Sequence, residues 1–232
     1  MVRCSIRNAQ MDLRLMTYFS PAMSGAPVPA VAGQLRRLGP ADSRHLEAHL
    51  LRLHPDDLRH RFMGGMPRSL VHRYVRGIDW QRAIIVGCFF GRSLRGVCEL
   101  YPMSGSRAEV AVSVERRFQG RGLGETLIGR ILILARNRRL TALEFRCIAG
   151  NQRMRGLVSK FDSETIIDSM EAEATVRALP PTPATYGIEM VEQADAFGNK
   201  LIRFWLDSAG RTWPGRCWST PDLFRERSAA GG

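Results

Sequence analysis

Residues 119–124, Gln-Gly-Arg-Gly-Leu-Gly, combine the residue types and the spacing that suit the binding of a phosphate group. Glycines let a chain turn sharply and let another molecule approach the backbone closely. This turn is predicted to open a helix, because Leu127, Ile131 and Leu134 follow it at helical spacing. Unpaired amides at the positive end of a helix dipole bind anions, so the turn predicts an anion site, most often for phosphate.

The segment before the turn, residues 109–114, alternates valine with small or polar residues. This period of two predicts a strand with one apolar face. Val110, Val112 and Val114 share that face, so Glu109 is expected on the opposite side. A carboxylate therefore stands at the head of the strand that leads to the anion site.

Three phosphate-binding patterns compete for the turn. The dinucleotide pattern requires G-x-G-x-x-G and an acid about 20 residues later, but the glycines here read G-R-G-L-G and Glu144 is the only acid near that distance. A P-loop requires Lys followed by Ser or Thr after its last glycine, and the chain has Glu125 and Thr126 there. The third pattern, Gln119-x-x-Gly122-x-Gly124, fits in order and spacing. Tight packing of the helix start is the structural alternative.

The third pattern resembles the pyrophosphate-binding motif Q/R-x-x-G-x-G/A of the GNAT superfamily of N-acetyltransferases. Residues 54–62, His-Pro-Asp-Asp-Leu-Arg-His-Arg-Phe, are similar to the S-P-E-D-x-x-x-R-F segment of a bacterial GNAT branch that includes the protein-lysine acetyltransferases. Asn151, Met154 and Leu157 match the pattern N-x-x-[A/M]-x-x-L that follows the fifth strand of the family. The resemblance covers about residues 34–179.

The resemblance implies acetyl-CoA as the co-substrate and assigns the residues that bind it. The turn would hold the pyrophosphate, the strand backbone would pair with the pantetheine arm, an amide there would polarise the thioester carbonyl, and the Asn would contact CoA. The predicted binding residues are Val112, Ser113, Val114, Gln119, Gly120, Arg121, Gly122, Leu123, Gly124 and Asn151.

The resemblance also implies a general base but leaves the general acid open. Glu109 stands where related protein-lysine acetyltransferases carry their base, in A-E-x-x-V-x-V, and Glu99 on the preceding strand is the reserve. Many members carry a Tyr as general acid where this chain has Val158. The family's usual Gly-Phe pair is also replaced, by Asp162 and Ser163. These departures favour, as an alternative function, a catalytically weak or inactive module that senses acyl-CoA.

The order of predicted elements is β-α-α-β-β-β-α-β-α-β-β, with the glycine turn after the fourth strand. This order predicts an α/β (α+β) GNAT fold, with a central mixed, mostly antiparallel sheet of about six to seven strands flanked by helices. The domains are predicted as a flexible lead-in over residues 1–33, the acetyltransferase domain over 34–179, and a C-terminal helical extension over 180–232, where Pro180 and Pro181 mark the boundary.

The first predicted helix carries Leu46, Leu50 and Leu53 on its apolar face and two histidines, His45 and His49, one turn apart. Although this spacing suits metal ligands, no third ligand stands nearby, so we interpret both histidines as solvated. Five cysteines lack the paired spacings of a zinc site and read as reduced cytosolic thiols, mostly in the core: Cys4, Cys88, Cys98, Cys147 and Cys217. No metal is expected.

The composition limits the partners of the protein. A content of 44% hydrophobic and 24% charged residues is typical of a soluble globular chain, and no apolar run is long enough to span a membrane. The net charge of +12 favours anionic partners such as a phosphorylated cofactor, an acidic protein or nucleic acid. An arginine-rich nucleic-acid-binding protein is thus a third hypothesis, which the lack of an aromatic RNP motif disfavours.

The predicted function is a cytoplasmic acyltransferase that moves an acetyl group from acetyl-CoA to a primary amine, of a protein lysine or a small molecule. Transfer would be direct, within a ternary complex. The resemblance implies that the acceptor is recognised between the first two helices and by the last hairpin, here residues 54–62 and 166–177. A homodimer is compatible with this prediction.

Overall fold

The computed structural model describes residues 33–168, 171–191 and 194, in which seven strands form one sheet in the order β1-β2-β3-β4-β5-β7-β6. Strands β4 and β5 are parallel, and every other neighbouring pair is antiparallel. The predicted mixed, mostly antiparallel sheet is confirmed. The strands are β1 Gln34–Arg37, β2 Ile84–Phe90, β3 Ser93–Pro102, β4 Arg107–Val114, β5 Ala142–Ile148, β6 Ser163–Ile167 and β7 Glu171–Arg177.

Helices cover both faces of the sheet. They are α1 Ser43–Arg52, α2 Pro55–Arg61, α3 Arg68–Arg76, α4 Leu123–Asn137 and α5 Gln152–Val158. Residues 183–191 are also helical. None of the helices within the described residues combines the length and the apolar character that crossing a membrane requires.

Two cores sandwich the sheet because the central strands bury both faces. Along β2, Val86 and Cys88 pack into the core beneath α4, whereas Ile85 and Phe89 pack into the core beneath α1 to α3. Side chains of a strand alternate between faces, so a strand covered on both sides is apolar at nearly every position. The same alternation sends Val110 of β4 towards α4.

Helix α3 is absent from the predicted element order, which had two helices before β2. Its N-cap is Pro67, and only Val71 and Val75 are buried, one turn apart on the face that meets the second core. The other positions are mostly basic or polar, so the apolar stripe was too narrow to indicate a helix. The last hairpin was predicted at 166–168 and 172–179, and its strands begin earlier along the chain.

The interpretation of His49 as solvated is wrong. Its side chain is fully buried between α1 and the sheet, whereas His45 is exposed, as predicted. The helical period places His49 close to the Leu46 and Leu50 stripe, and Nε2 of its ring finds a polar partner in Ser113 of β4, which lies far away in the sequence. Burial of a polar ring is tolerated where such partners exist.

Other sequence predictions fall partly outside the described residues. Cys88, Cys98 and Cys147 are free and buried, while Cys4 and Cys217 lie outside. The lead-in lies outside except for Gly33, and of the C-terminal extension the structure describes residues 180–191 and 194. The domain boundaries stay predictions. Within the described part, no group of three or more His, Cys, Asp or Glu side chains could hold a metal ion.

Candidate functional site

The candidate site is the cleft that opens where β4 and β5 separate. These parallel strands pair from Arg107 opposite Ala142 to Glu109 opposite Glu144. Beyond that point a cleft of about 1130 Å³ is lined by residues 110–114 on one strand and by Arg146 and Cys147 on the other. This volume exceeds the roughly 300–1,000 Å³ of typical small-ligand pockets, as a long ligand requires.

The glycine turn closes one end of the cleft and uses its glycines in two different ways. Gly120 and Gly122 have φ angles of 72° and 80°, in the left-handed region that favours glycine, and Gly122 is the N-cap of α4. At Gly124 an added Cβ would lie 2.9 Å from Cδ2 of Leu157 in α5. A left-handed turn and tight packing therefore occur at neighbouring glycines, and anion binding by the turn stays a prediction.

Two polar side chains fix the elements around the turn. Nε2 of Gln119 donates to the carbonyl of Val114 at 2.8 Å, and Oε1 of Gln119 accepts from Arg153 at 2.8 Å. Oδ1 of Asn151 accepts from the amide of Met154 at 3.1 Å and so caps α5. Both residues line the cleft, where Gln119 links the turn to the end of β4 and to α5, and Asn151 fixes the start of α5.

The structure brings nearly all predicted binding residues to this cleft. All of them except Arg121 line it, and Arg121 is exposed. The lining is also basic, which suits a polyanionic ligand. Its basic members are Arg59, His60, Arg61, Arg116, Arg146, Arg153 and Lys160. Among these, Arg116 pairs with Asp56 and Asp57 of α2, and Lys160 pairs with Glu125.

Glu109, the predicted general base, lies at the vertex of the cleft. It is exposed, sits opposite Tyr101 of β3 and Glu144 of β5, and forms the last pair before the strands diverge. Val110 and Ala111, its successors on β4, line the cleft, but Glu109 does not. The role of Glu109 stays a prediction.

The reserve base, Glu99, is unsuited to proton transfer. Its carboxylate is fully buried and accepts hydrogen bonds from Arg61 at 2.8 Å, Tyr74 at 2.5 Å and Tyr101 at 2.8 Å. Burial opposes ionisation, but the Arg61 guanidinium and the two hydroxyls hold the pKa of Glu99 below its ordinary value. An ionised carboxylate with its oxygens occupied anchors this face of the sheet instead of accepting a proton.

A second polar cluster beside the cleft was missed by the sequence analysis. Nε2 of His49 lies 2.9 Å from Oγ of Ser113, and Nδ1 of His49 lies 3.4 Å from Oε1 of Glu115. Glu115 also accepts from Arg52 at 2.8 Å and from Arg95 at 2.7 Å. Burial opposes ionisation of Glu115, yet these partners lower its pKa to about 2.

The signal for this cluster in the sequence was weak. His49 and Ser113 lie 64 positions apart in the sequence. Only the helical position of His49, adjacent to the apolar stripe of α1, indicated that its ring could face the sheet.

Comparisons with known proteins agree with this geometry. Residues 49–162 match the model of the acetyltransferase (GNAT) family, a range that begins in α1 and ends beyond α5. No curated protein sequence matches the chain.

Solved structures with the same fold include three acetyltransferases. The GNAT domain of S. lividans PAT has a TM-score of 0.55 at 16% identity, over 62% of this chain and 90% of that one. The ribosomal-protein-S18-alanine N-acetyltransferase of Escherichia coli has a TM-score of 0.52 at 10% identity, over 65% and 97%. A GNAT-family acetyltransferase of Staphylococcus aureus MU50 has a TM-score of 0.52 at 8% identity, over 63% and 99%. Such low identities establish a shared fold alone. Together with the family match and the cleft between β4 and β5, they lead to one conclusion: residues 49–162 form a domain of the acetyltransferase (GNAT) family.

Proposed function

We propose that this protein transfers the acetyl group of acetyl-CoA directly to a primary amine, of a protein lysine or a small molecule, within a ternary complex. The observation that carries the proposal is the cleft between β4 and β5 that ends on the glycine turn at the N-terminus of α4. The predicted domain boundaries, with the acetyltransferase domain over residues 34–179, are retained in this proposal.

The binding of CoA rests on complementary shape and charge. Backbone amides of the turn and of the first turn of α4 suit the pyrophosphate, because a helix start offers unpaired donors and a positive dipole end. From Val110 to Val114, β4 pairs with β3 along one edge, and no described strand pairs with its other edge. This unpaired edge suits the amide groups of the pantetheine arm. The basic lining adds attraction for the phosphates.

Transfer requires an amine without its extra proton, a polarised carbonyl and a stabilised leaving group. We assign the first task to Glu109, which is exposed at the vertex of the cleft, where an incoming ammonium group can release a proton. A backbone amide within residues 112–114 would polarise the carbonyl. Residues 54–62 and 166–177 remain the proposed acceptor-recognition segments, and Asp56, Asp57 and His60 of the first segment line the cleft.

The Glu109→Gln variant tests this proposal. We expect kcat to fall by about 100-fold at neutral pH, the lower end of the range for general acid-base catalysis, because Gln cannot accept the proton. Acetyl-CoA should raise the melting temperature of the variant as much as that of the wild type, since ligands that bind the native state alone stabilise it. Release of free CoA would be followed across amines and lysine peptides. Full turnover of the variant at all pH values would refute the role of Glu109.

A second candidate function is an acyl-CoA-sensing module with weak or no turnover. The observation that favours it is Val158, which stands where many members carry a Tyr and is buried in the core. Thermal stabilisation by acetyl-CoA without release of free CoA across the acceptor panel would support this alternative.

A further inference from the structure

The hydroxyl of Ser113 lies at the boundary between the cleft and a buried histidine. Ser113 lines the cleft from β4, on the face opposite Val112 and Val114, and its side chain is directed towards α1. Oγ of Ser113 and Nε2 of His49 are 2.9 Å apart, which is a hydrogen-bonding distance. His49 itself is fully buried, and the Ser113 hydroxyl is the polar group that links its Nε2 to the cleft.

The carboxylate beside His49, that of Glu115, is paired with two arginines. Glu115 follows β4 and lies 3.4 Å from Nδ1 of His49, Arg52 extends from the end of α1, and Arg95 extends from β3. The two guanidiniums share the Glu115 carboxylate, since Arg52 donates to Oε1 and Arg95 donates to Oε2. A neutral ring can accept the Ser113 proton on Nε2 while Nδ1–H faces Glu115.

The reaction requires a proton path that the tyrosines of the described chain do not supply. The usual Tyr is replaced by Val158, whose side chain is in the core. Tyr74 and Tyr101 are bound to the Glu99 carboxylate, and burial and this carboxylate raise the pKa of both. Tyr186 contacts the carbonyl of Asn137 and does not line the cleft.

We propose that Ser113 and His49 form a proton relay that serves the transfer step, with Glu115 as the residue that positions the His49 ring. This inference rests on the proposed function. Nitrogen of the amine bonds to the carbonyl carbon of the thioester, and the carbon–sulfur bond breaks with its electron pair on sulfur. The surplus proton on nitrogen passes to Oγ of Ser113 as the Oγ proton moves to Nε2 of His49.

The same two atoms then return one proton to the sulfur, so both side chains end unchanged and free CoA leaves as a thiol. Glu109 has a separate task in this scheme, because it removes the first proton from the ammonium form of the acceptor before attack. The relay thus fills the role of the Tyr that Val158 replaces.

The test compares Ser113→Ala, Ser113→Thr and His49→Gln with a matched control, His45→Gln, which changes the exposed histidine one turn earlier on the same helix. We expect Ser113→Ala and His49→Gln to lower kcat by about 100-fold or more, while the CoA dissociation constant measured by calorimetry is unchanged. Ser113→Thr should restore most of kcat because it keeps the hydroxyl, and His45→Gln should behave like the wild type.

Nitrogen NMR of the histidine rings supplies a readout that does not depend on turnover. The relay requires Nε2 of His49 to be the unprotonated nitrogen in the wild type near neutral pH, with a shift that changes in Ser113→Ala. A merely structural role would lower the melting temperature of His49→Gln without lowering the kcat of its folded fraction.

Three results would overturn the relay: undiminished kcat in Ser113→Ala, a proton resident on Nε2 of His49, or an acetyl group found on Ser113 by mass spectrometry during turnover. A wild type that releases no CoA with any acceptor counts against the proposed function instead. The two failures are therefore distinguishable.

Discussion

The glycine-turn end of β4 and the face of the sheet beneath α1 to α3 are built in different ways. The glycine-turn end uses neighbours in the sequence, since Gln119 bonds to Val114 and Gly122 caps the helix that follows. The face towards α1 to α3 uses partners from distant segments: Arg61 reaches Glu99 across 38 positions, and Arg52 reaches Glu115 across 63. A short motif can therefore specify the first region, whereas the second depends on the complete fold.

The largest loss of stability is expected when the buried ion pair between Arg61 and Glu99 is broken. The Arg61→Ala variant leaves the Glu99 carboxylate buried with two hydroxyls and no cation, and breaking a buried pair from one side costs about 3–5 kcal/mol. Urea denaturation would measure the loss in the free energy of unfolding. The exposed Arg59 on the same helix supplies the control, since Arg59→Ala should be nearly neutral. Equal urea midpoints for both variants would show that the ion pair between Arg61 and Glu99 does not stabilise the fold.

An intermediate loss of stability is expected when acid protonates Glu115. A carboxyl with a folded pKa of about 2, below the ordinary 4.5, stabilises the fold above pH 4.5, and this contribution is lost as the pH falls from 4.5 towards 2. We expect the wild type to be more stable than Glu115→Gln by about 1–3 kcal/mol at neutral pH. The difference should shrink over that acid window when thermal unfolding is followed by circular dichroism. If the difference in stability between the wild type and Glu115→Gln stayed constant from pH 7 to pH 2, the charge of Glu115 would not be the cause of that difference.

The smallest loss of stability is expected at the glycine turn. Gly122→Ala places a side chain at a φ of 80°, which costs about 1–2 kcal/mol for an L-residue. The same variant should weaken CoA binding, because the turn must shift to relieve the strain. Gly187→Ala is the control, since Gly187 lies in the helix at 183–191 with no neighbouring atom to meet an added Cβ. An unchanged CoA dissociation constant in Gly122→Ala would show that the turn does not contribute to CoA binding.

The same contrast explains which features could be predicted from the sequence. The strands and the glycine turn follow from local rules of alternation and glycine conformation, so they were predicted within a few residues. Helix α3 was missed because only Val71 and Val75 of its face are buried. The Ser113 and His49 contact could not be predicted, because neither residue has a local pattern that indicates the other.

Glu109 and Glu99 show the same limit at single residues. Both are carboxylates on adjacent strands of similar pattern, and the sequence offered both as a base. The structure separates them by environment, since Glu99 is enclosed by Arg61 and two tyrosines while Glu109 is exposed. The difference comes from α2 and α3, whose packing over β3 covers one carboxylate and leaves the other to solvent.

The separation of β4 from β5 leaves the central sheet incomplete at its middle. From Val110 onwards, β4 pairs with β3 but has no described strand on its other side. Backbone groups along such an edge must be met by water or by a ligand. A bound pantetheine arm would then act as a short extra strand, and the fold would be finished only when co-substrate is present. The resistance of this protein to unfolding and proteolysis in the cell should therefore rise and fall with the supply of acyl-CoA.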